Sequence, residues 1–188
     1  MAEITLTAAP TLGGIDIRIG DNRITERDDL ALVSVAVPLG GEDYLVAALH
    51  KGLSIEFPDA RLSRVADKTR AIRTAPDQLL LMFPYAEPSP ENGIDHRLAS
   101  TGYTTDQSDA WVVLDLSGPD TLSALERLCP VDLDIGQFPL NAAARTLMEH
   151  MGTLIVRIEQ NRFLLLSASS SAGSFLDAVE TSYRYVCA

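Results

Sequence analysis

Two carboxylates stand three residues apart in "TTDQSDAW", Asp106 and Asp109, just ahead of an apolar run. Paired carboxylates can divide acid and base work, one holding a proton while the other stays ionised. A second constellation lies in "ARTLMEHM", where Arg145, Glu149 and His150 put a fixed cation, a carboxylate and an imidazole on one short segment. On an extended strand Arg145 and Glu149 fall on the same face, and together they could line a pocket. Ser117, followed by Gly118, is the one hydroxyl in a nucleophile-like setting.

Each constellation has a plainer explanation, and the sequence favours it. Polar residues ahead of a buried strand are ordinarily a solvated turn, which accounts for Asp106 and Asp109. Arg145 and Glu149 on one strand face make a cross-face ion pair. Ser117 lacks the glycine two residues earlier that a strained nucleophile turn carries. With Pro119 in the first turn and Asp120 three residues on, it is expected to cap a helix. His50, His96 and His150 are scattered, there is no Cys-x-x-Cys or His-x-x-x-His pair, and Cys129 and Cys187 have no neighbour at metal-ligand spacing. No Gly-x-Gly-x-x-Gly follows a strand and no Walker loop is present. The expectation is therefore no catalytic, no cofactor-binding and no metal-ligating residue in this chain.

Composition narrows the class. The chain has 188 residues, 46% of them hydrophobic, enough to bury roughly 70% of the unfolded surface in one compact unit or two merged ones. The formal charge of −11 repels phosphate backbones and argues against nucleic acid as a partner. Thirteen of the fifteen basic residues are arginine, the side chain suited to forked contacts with carboxylates at protein interfaces. The start "MAEITLTAAP" has neither the basic opening nor the apolar stretch of a signal peptide, and no apolar run approaches the ~18 residues of a membrane span. With two cysteines in no framework spacing, reduced thiols and a cytoplasmic location are expected.

The elements that must position any site follow from periodicity. "GIDIRIG" alternates Ile with polar residues and predicts an edge strand or docking arm within residues 1–28. "LALVSVAVP" predicts a buried strand, and Glu42 to Lys51 a helix with Tyr44, Leu45, Ala48 and Leu49 on one stripe. "TRAIRTA" and "QLLLMFP" predict a hairpin turning at Pro76 and Asp77. The proline-rich "PYAEPSPEN" is a loop, and a short helix over Ile94 to Ala99 leads to a strand, "AWVVLDL". Residues 29–116 thus read as β-α-β-β-α-β, the strand at 111 to 117 closing this half and opening the next.

Residues 117–188 read as α-β-β-α packed with the first half as one unit. Leu122, Leu125, Leu128 and Cys129 face inward on a helix from Ser117 that Pro130 ends. "AARTLMEHM" and "TLIVRIE" read as one strand bent at Gly152, which turns at "QN" into "RFLLLSA". A last helix starts from serines 169 to 171 with Phe175, Leu176, Val179, Tyr183 and Val186 on one face. The order predicts an α+β fold of two merged ferredoxin-like halves with antiparallel sheets covered by helices.

Four segments in order, "DQSDAWVVL", "SGPD", "LERLCPVDL" and "ARTLMEHM", lie within a likeness over about residues 28 to 183. Through them the chain resembles the gamma subunit of heterotetrameric sarcosine oxidase. The resemblance implies a non-catalytic structural subunit of an oxidoreductase complex that oxidatively demethylates sarcosine to glycine, producing hydrogen peroxide. Its expected partners are alpha, beta and delta subunits, with a homo-oligomer possible for the isolated chain. The cofactors FAD, FMN, NAD, tetrahydrofolate and zinc are implied in the partner subunits and none in this chain. A similar gamma-like subunit occurs in N-methylglutamate dehydrogenases.

A more distant likeness joins "SGPDTLSALERLCPVDL" and "GTLIVRIEQNRFLLLSASS" to the folate-binding fold of aminomethyltransferases. That family carries an acidic pair before Leu-Ile-Val and an Asn after the next strand. Here those places hold Gly152 and Thr153, and Ser167. The likeness implies the frame of a folate enzyme without its working carboxylate. It leaves a stand-alone folate-dependent aminomethyltransferase-like protein as the alternative function.

Overall fold

The computed structural model describes residues 9–86 and 88–188. Among these residues eleven strands make two antiparallel sheets and four α-helices cover their outer faces, so the fold is α+β in four layers. No helix of the described residues is long and apolar enough to cross a membrane.

The five-stranded sheet is built from β3 (Leu30–Ala36), β4 (Arg64–Ala66), β5 (Thr69–Ala75), β6 (Gln78–Pro84) and β7 (Tyr103–Asp106), in the order β4-β5-β6-β3-β7. Helices α1 (Glu42–Leu53) and α2 (Pro90–Arg97) cover one face through Leu45, Leu49, Leu53 and Ile94, which meet Val33, Val35, Leu79 and Leu81. The apolar stripe of α1 is thus placed as its 3.6-residue period requires. Setting aside the short β4, strands β5, β6, β3 and β7 with the two helices form a split β-α-β pair of ferredoxin type.

The six-stranded sheet holds β1 (Asp16–Ile19), β2 (Asn22–Glu26), β8 (Trp111–Ser117), β9 (Ala143–Met148), β10 (Met151–Glu159) and β11 (Arg162–Ala168), ordered β1-β2-β8-β11-β10-β9. Helices α3 (Thr121–Glu126) and α4 (Ala172–Val186) cover it, with Leu125, Phe175, Val179 and Tyr183 against Leu114, Leu116, Phe163 and Leu165. The opposite faces of the two sheets pack together through Leu32, Ile72, Leu80 and Met82 against Val113, Leu154, Val156, Leu164 and Leu166. Both faces of β8 and β11 are therefore apolar, which is why these strands read as unbroken hydrophobic runs.

Four expectations change. Trp111–Ser117 does not close the first half: β7, Tyr103–Asp106, takes that place and β8 belongs wholly to the other sheet. A short strand with the polar sequence YTTD carries no hydrophobic signal, whereas the apolar run that follows it does. The arm also does more than dock. Residues 16–26 form a hairpin, and β2 pairs with β8 in the position that β7 holds beside β3, so the second unit draws strands from both ends of the chain.

The third change is at Glu149 and His150. The long bent strand is two strands, and Met148 pairs with Met151 across a two-residue turn in which Glu149 and His150 have φ of 45° and 68°. Left-handed values at both central positions are those of a tight hairpin turn usually marked by Asn or Gly, and neither is present. The fourth is Ser117, which is the last residue of β8 and pairs with Arg162 and Arg23 instead of capping a helix. The N-cap of α3 is Asp120, whose carboxylate accepts a hydrogen bond from Asn22 Nδ2 at 2.9 Å while its own backbone N–H donates to Asn22 Oδ1 at 2.9 Å. The chain reverses between them at Gly118, whose φ is 133° and where a Cβ would stand 2.6 Å from Asn22 Cα.

Candidate functional site

The strand ends of the six-stranded sheet open onto a cleft. Trp111 starts β8 opposite Ala168 of β11, and Gly152 and Thr153 lie near the start of β10, next to Leu147 and Thr146 of β9. Gln107 reaches the same place from the five-stranded sheet, its backbone N–H donating to Leu32 O at 2.8 Å. The cleft between them is about 590 Å³, lined by Gln107, Ala110, Trp111, Arg145, Thr146, Leu147, Gly152, Thr153 and Ala168. Arg145 also borders two smaller hollows, one reaching Ser34 and Leu154 and one reaching Arg73 and Pro76. Its Nη1 donates to Thr74 O at 3.4 Å, and no carboxylate pairs with it among the described residues.

The three positions singled out by their likeness to a folate enzyme are neighbours at this end of the sheet. Thr153 stands directly opposite Ser167, whose hydroxyl donates to Gly152 O at 3.1 Å. The Thr153 hydroxyl donates to Met151 O at 3.2 Å. Gly152 is exposed, and a Cβ added there meets nothing within 4 Å, so the cleft has room beside it. Thr153 and Ser167, both buried, turn their side chains to the helix-covered face with Ile155, Phe163 and Leu165, so at this wall the cleft meets Gly152, strand backbone and one guanidinium. It can present hydrogen bonds and a positive charge, and it has no group to hold a proton near neutral pH or to offset a developing cation.

The other candidates do not join the cleft as chemistry. Asp106 accepts hydrogen bonds from Ser108 N at 2.9 Å and Ser108 Oγ at 2.7 Å, and Leu32 N donates to Ser108 Oγ at 3.1 Å. The carboxylate thus ties the 3-10 turn Ser108–Ala110 to β3. Asp109 lies exposed within that turn. The expected cross-face pair of Arg145 and Glu149 does not form, because Glu149 sits in the hairpin turn and no longer on the strand. His50, His96 and His150 lie exposed on α1, α2 and that turn. Cys129 is buried and Cys187 half-buried, both as free thiols. Among the described residues no three or more His, Cys, Asp or Glu side chains are gathered as a metal site.

Sequence reading missed the buried charges. Asp115 is only 5% exposed, yet it accepts a forked pair from Arg162 at 2.8 and 2.7 Å and a third contact from Arg27 at 3.3 Å. Arg157 is 1% exposed, donates to the carbonyls of Gln160 and Leu133, and lies 4.5 Å over the Phe163 ring. Its Nε has no partner among the described residues, and burial pushes its pKa below the usual guanidinium value, with nearby Asp134 acting the other way. Single residues within apolar strands give no periodicity by which to be found. Both clusters tie β8, β10 and β11 to loops, so they read as architecture.

No family model matches the chain, and no curated protein matches it. Solved structures do. A chain of the heterotetrameric sarcosine oxidase from Corynebacterium sp. U-96, in complex with pyrrole 2-carboxylate, has the same fold, with a TM-score of 0.77 and 22% identity over 90% of this chain and 88% of that one. The glycine cleavage system aminomethyltransferase T from Bartonella henselae matches with a TM-score of 0.55 and 11% identity, over 82% of this chain and 44% of that one. The chain therefore spans less than half of that transferase. The expected resemblances, and the aminomethyltransferase-like α+β fold, hold at the level of structure.

Proposed function

We propose that this chain is a non-catalytic, gamma-like structural subunit of a heteromeric sarcosine oxidase, which oxidatively demethylates sarcosine to glycine. The observation that carries it is the end of the sheet where Gly152, Thr153 and Ser167 are neighbours. At the place where the folate enzyme's frame calls for a carboxylate, the cleft lining holds none, and both hydroxyls already donate to backbone carbonyls. A neutral pair cannot stabilise the positive charge that develops on an amine nitrogen during transfer to folate. The likeness to a chain of a heterotetrameric sarcosine oxidase over 90% of this sequence supports placement within such a complex. Flavin, nicotinamide, folate and zinc chemistry then belong to partner subunits.

Two measurements test this. Tetrahydrofolate titrated against Trp111 fluorescence, corrected for absorbance, should give no saturable quenching in the isolated chain; saturation in the micromolar range would favour the aminomethyltransferase alternative. Co-expression with the flavin-bearing, folate-binding and zinc-binding subunits should give a complex that purifies with this chain. A fully assembled, active complex that forms equally well without it would contradict the proposal.

A further inference from the structure

The two exposed ends of the six-stranded sheet are β1 and β9. Along β9, Ala144, Thr146 and Met148 pair with Ile155, Thr153 and Met151 of β10. In an antiparallel ladder closed by a two-residue turn these are the hydrogen-bonded pairs, so the N–H and C=O groups of Ala143, Arg145 and Leu147 point away from β10. Ala143 uses its outward N–H on Arg61 O at 2.9 Å. The outward groups of Arg145 and Leu147 have no backbone partner among the described residues. An uncovered edge of this kind is a template for another strand, and nothing here blunts it with proline, lysine or a bulge.

The side chains along that edge state what would fit. Arg145 and Leu147 both point toward the five-stranded sheet at the mouth of the cleft, with Leu147 60% exposed. Among the described residues no carboxylate pairs with Arg145, nor with Arg73 beside it, which lies 4.9 Å over Phe57 and donates to Pro76 O at 2.5 Å. Two guanidiniums with no carboxylate partner among the described residues, on one rim of a chain with net charge −11, form a local positive site. A second copy of the chain does not satisfy it. Antiparallel self-pairing about Thr146 would put Arg145 opposite Leu147, about Arg145 would oppose two like charges, and about Leu147 would call on Glu149, which lies beyond the strand in the turn with φ of 45°.

We propose that the free edge of β9 receives an extended segment of a partner protein, added as a strand, with an acidic residue meeting Arg145 and an apolar residue two positions away meeting Leu147. Main-chain hydrogen bonds to Arg145 and Leu147 hold the segment, and the alternating side chains select it. This rests on the chain being a subunit, and it identifies the surface and the chemistry by which it engages its neighbour.

The test uses the full chain and two blocked heptapeptides, one alternating valine with aspartate and one alternating valine with lysine. The aspartate peptide should slow exchange of the Arg145 and Leu147 amides, read by NMR, by about tenfold or more, and the lysine peptide should not. Arg145→Glu should reverse that preference while leaving the melting midpoint near that of the parent. Equal binding of both peptides to parent and variant, protection by neither, or amides already protected through concentration-dependent self-association would each overturn the proposal. Failure here, in a chain still required for assembly of the complex, would remove this surface and leave the subunit role standing. Loss of the subunit role would be seen in the co-expression experiment, independently of the peptides.

Discussion

Ser167 lies directly opposite Thr153 across β10 and β11, and its hydroxyl donates to the carbonyl of the residue before Thr153, Gly152, at 3.1 Å. Gly152 thus borders the cleft, and the Thr153 and Ser167 hydroxyls lie on the helix-covered side of the sheet. Gly152 itself is unconstrained: its φ is not left-handed and a Cβ meets nothing within 4 Å. Gly152→Ala should therefore leave stability within about 1 kcal/mol of the parent or raise it, by restricting the unfolded chain. Gly118→Ala should cost about 2 kcal/mol or more, because φ is 133° and a Cβ would overlap Asn22. Urea melts of the two variants compare them directly, and equal costs would mean the Asn22–Asp120 junction is not as tight as described.

Leu125→Ala should cost about 2–5 kcal/mol, as deletion of a buried leucine does, since Leu125 is 1% exposed among the α3, α4 and β8 side chains. Asp106→Ala should cost about 1 kcal/mol, because two donors from Ser108 lose their acceptor. A solvated turn residue with no such contacts would cost nothing measurable. Denaturant midpoints at constant slope distinguish the two.

The Asp115 cluster should respond asymmetrically. Arg162→Ala leaves a nearly buried carboxylate with only the longer contact from Arg27, and should cost about 3 kcal/mol. Asp115→Asn leaves two guanidiniums that are 38% and 27% exposed and can turn to water, and should cost about 1 kcal/mol. The opposite ranking in thermal melts would show that burial of Asp115 does not dominate the network.

Tyr183 sets a pH dependence. Burial pushes its phenol up to about 12, against a hydrogen bond to Thr121 Oγ1 at 2.9 Å that acts the other way. The folded chain then holds this proton more tightly than the unfolded chain, whose value is 10.0. Stability from this group is fully present below pH ~10 and is lost as pH rises toward ~12, by on the order of 2–3 kcal/mol. Tyr183→Phe should flatten that alkaline decline in melts between pH 8 and pH 11. An unchanged slope would place the titration elsewhere.

Much of the fold was legible from periodicity, and the exceptions share a cause. Helices α1 and α4 follow from apolar spacing because each buries one face, and the β5–β6 hairpin follows from its apolar run, buried on both faces, and the turn residues Pro76 and Asp77. Strands β2 and β7, by contrast, read as "NRITE" and "YTTD", and short polar strands are fixed by their sheet neighbours, not by their own composition. Glu149 and His150 make a tight turn without Asn or Gly, so the hairpin they close was invisible. At the site, Gly152, Thr153 and Ser167 were singled out by resemblance, and pairing in the sheet brings them together. The lone cation among them, Arg145, was noticed as a residue type, but its lack of a carboxylate depends on Glu149 leaving the strand.

Sarcosine-dependent hydrogen peroxide formation by the assembled complex, carrying this chain with Trp111→Phe, Thr153→Ala and Ser167→Ala together, tests most directly whether the chain supplies any reacting group. Gel filtration first establishes that the complex is whole, with Thr153→Ala alone measured alongside. Turnover within about twofold of the parent is predicted, since residues that only border the cleft or pack behind it contribute no transition-state contact. An intact complex whose turnover falls by about a hundredfold or more would contradict the structural role and place chemistry in this cleft.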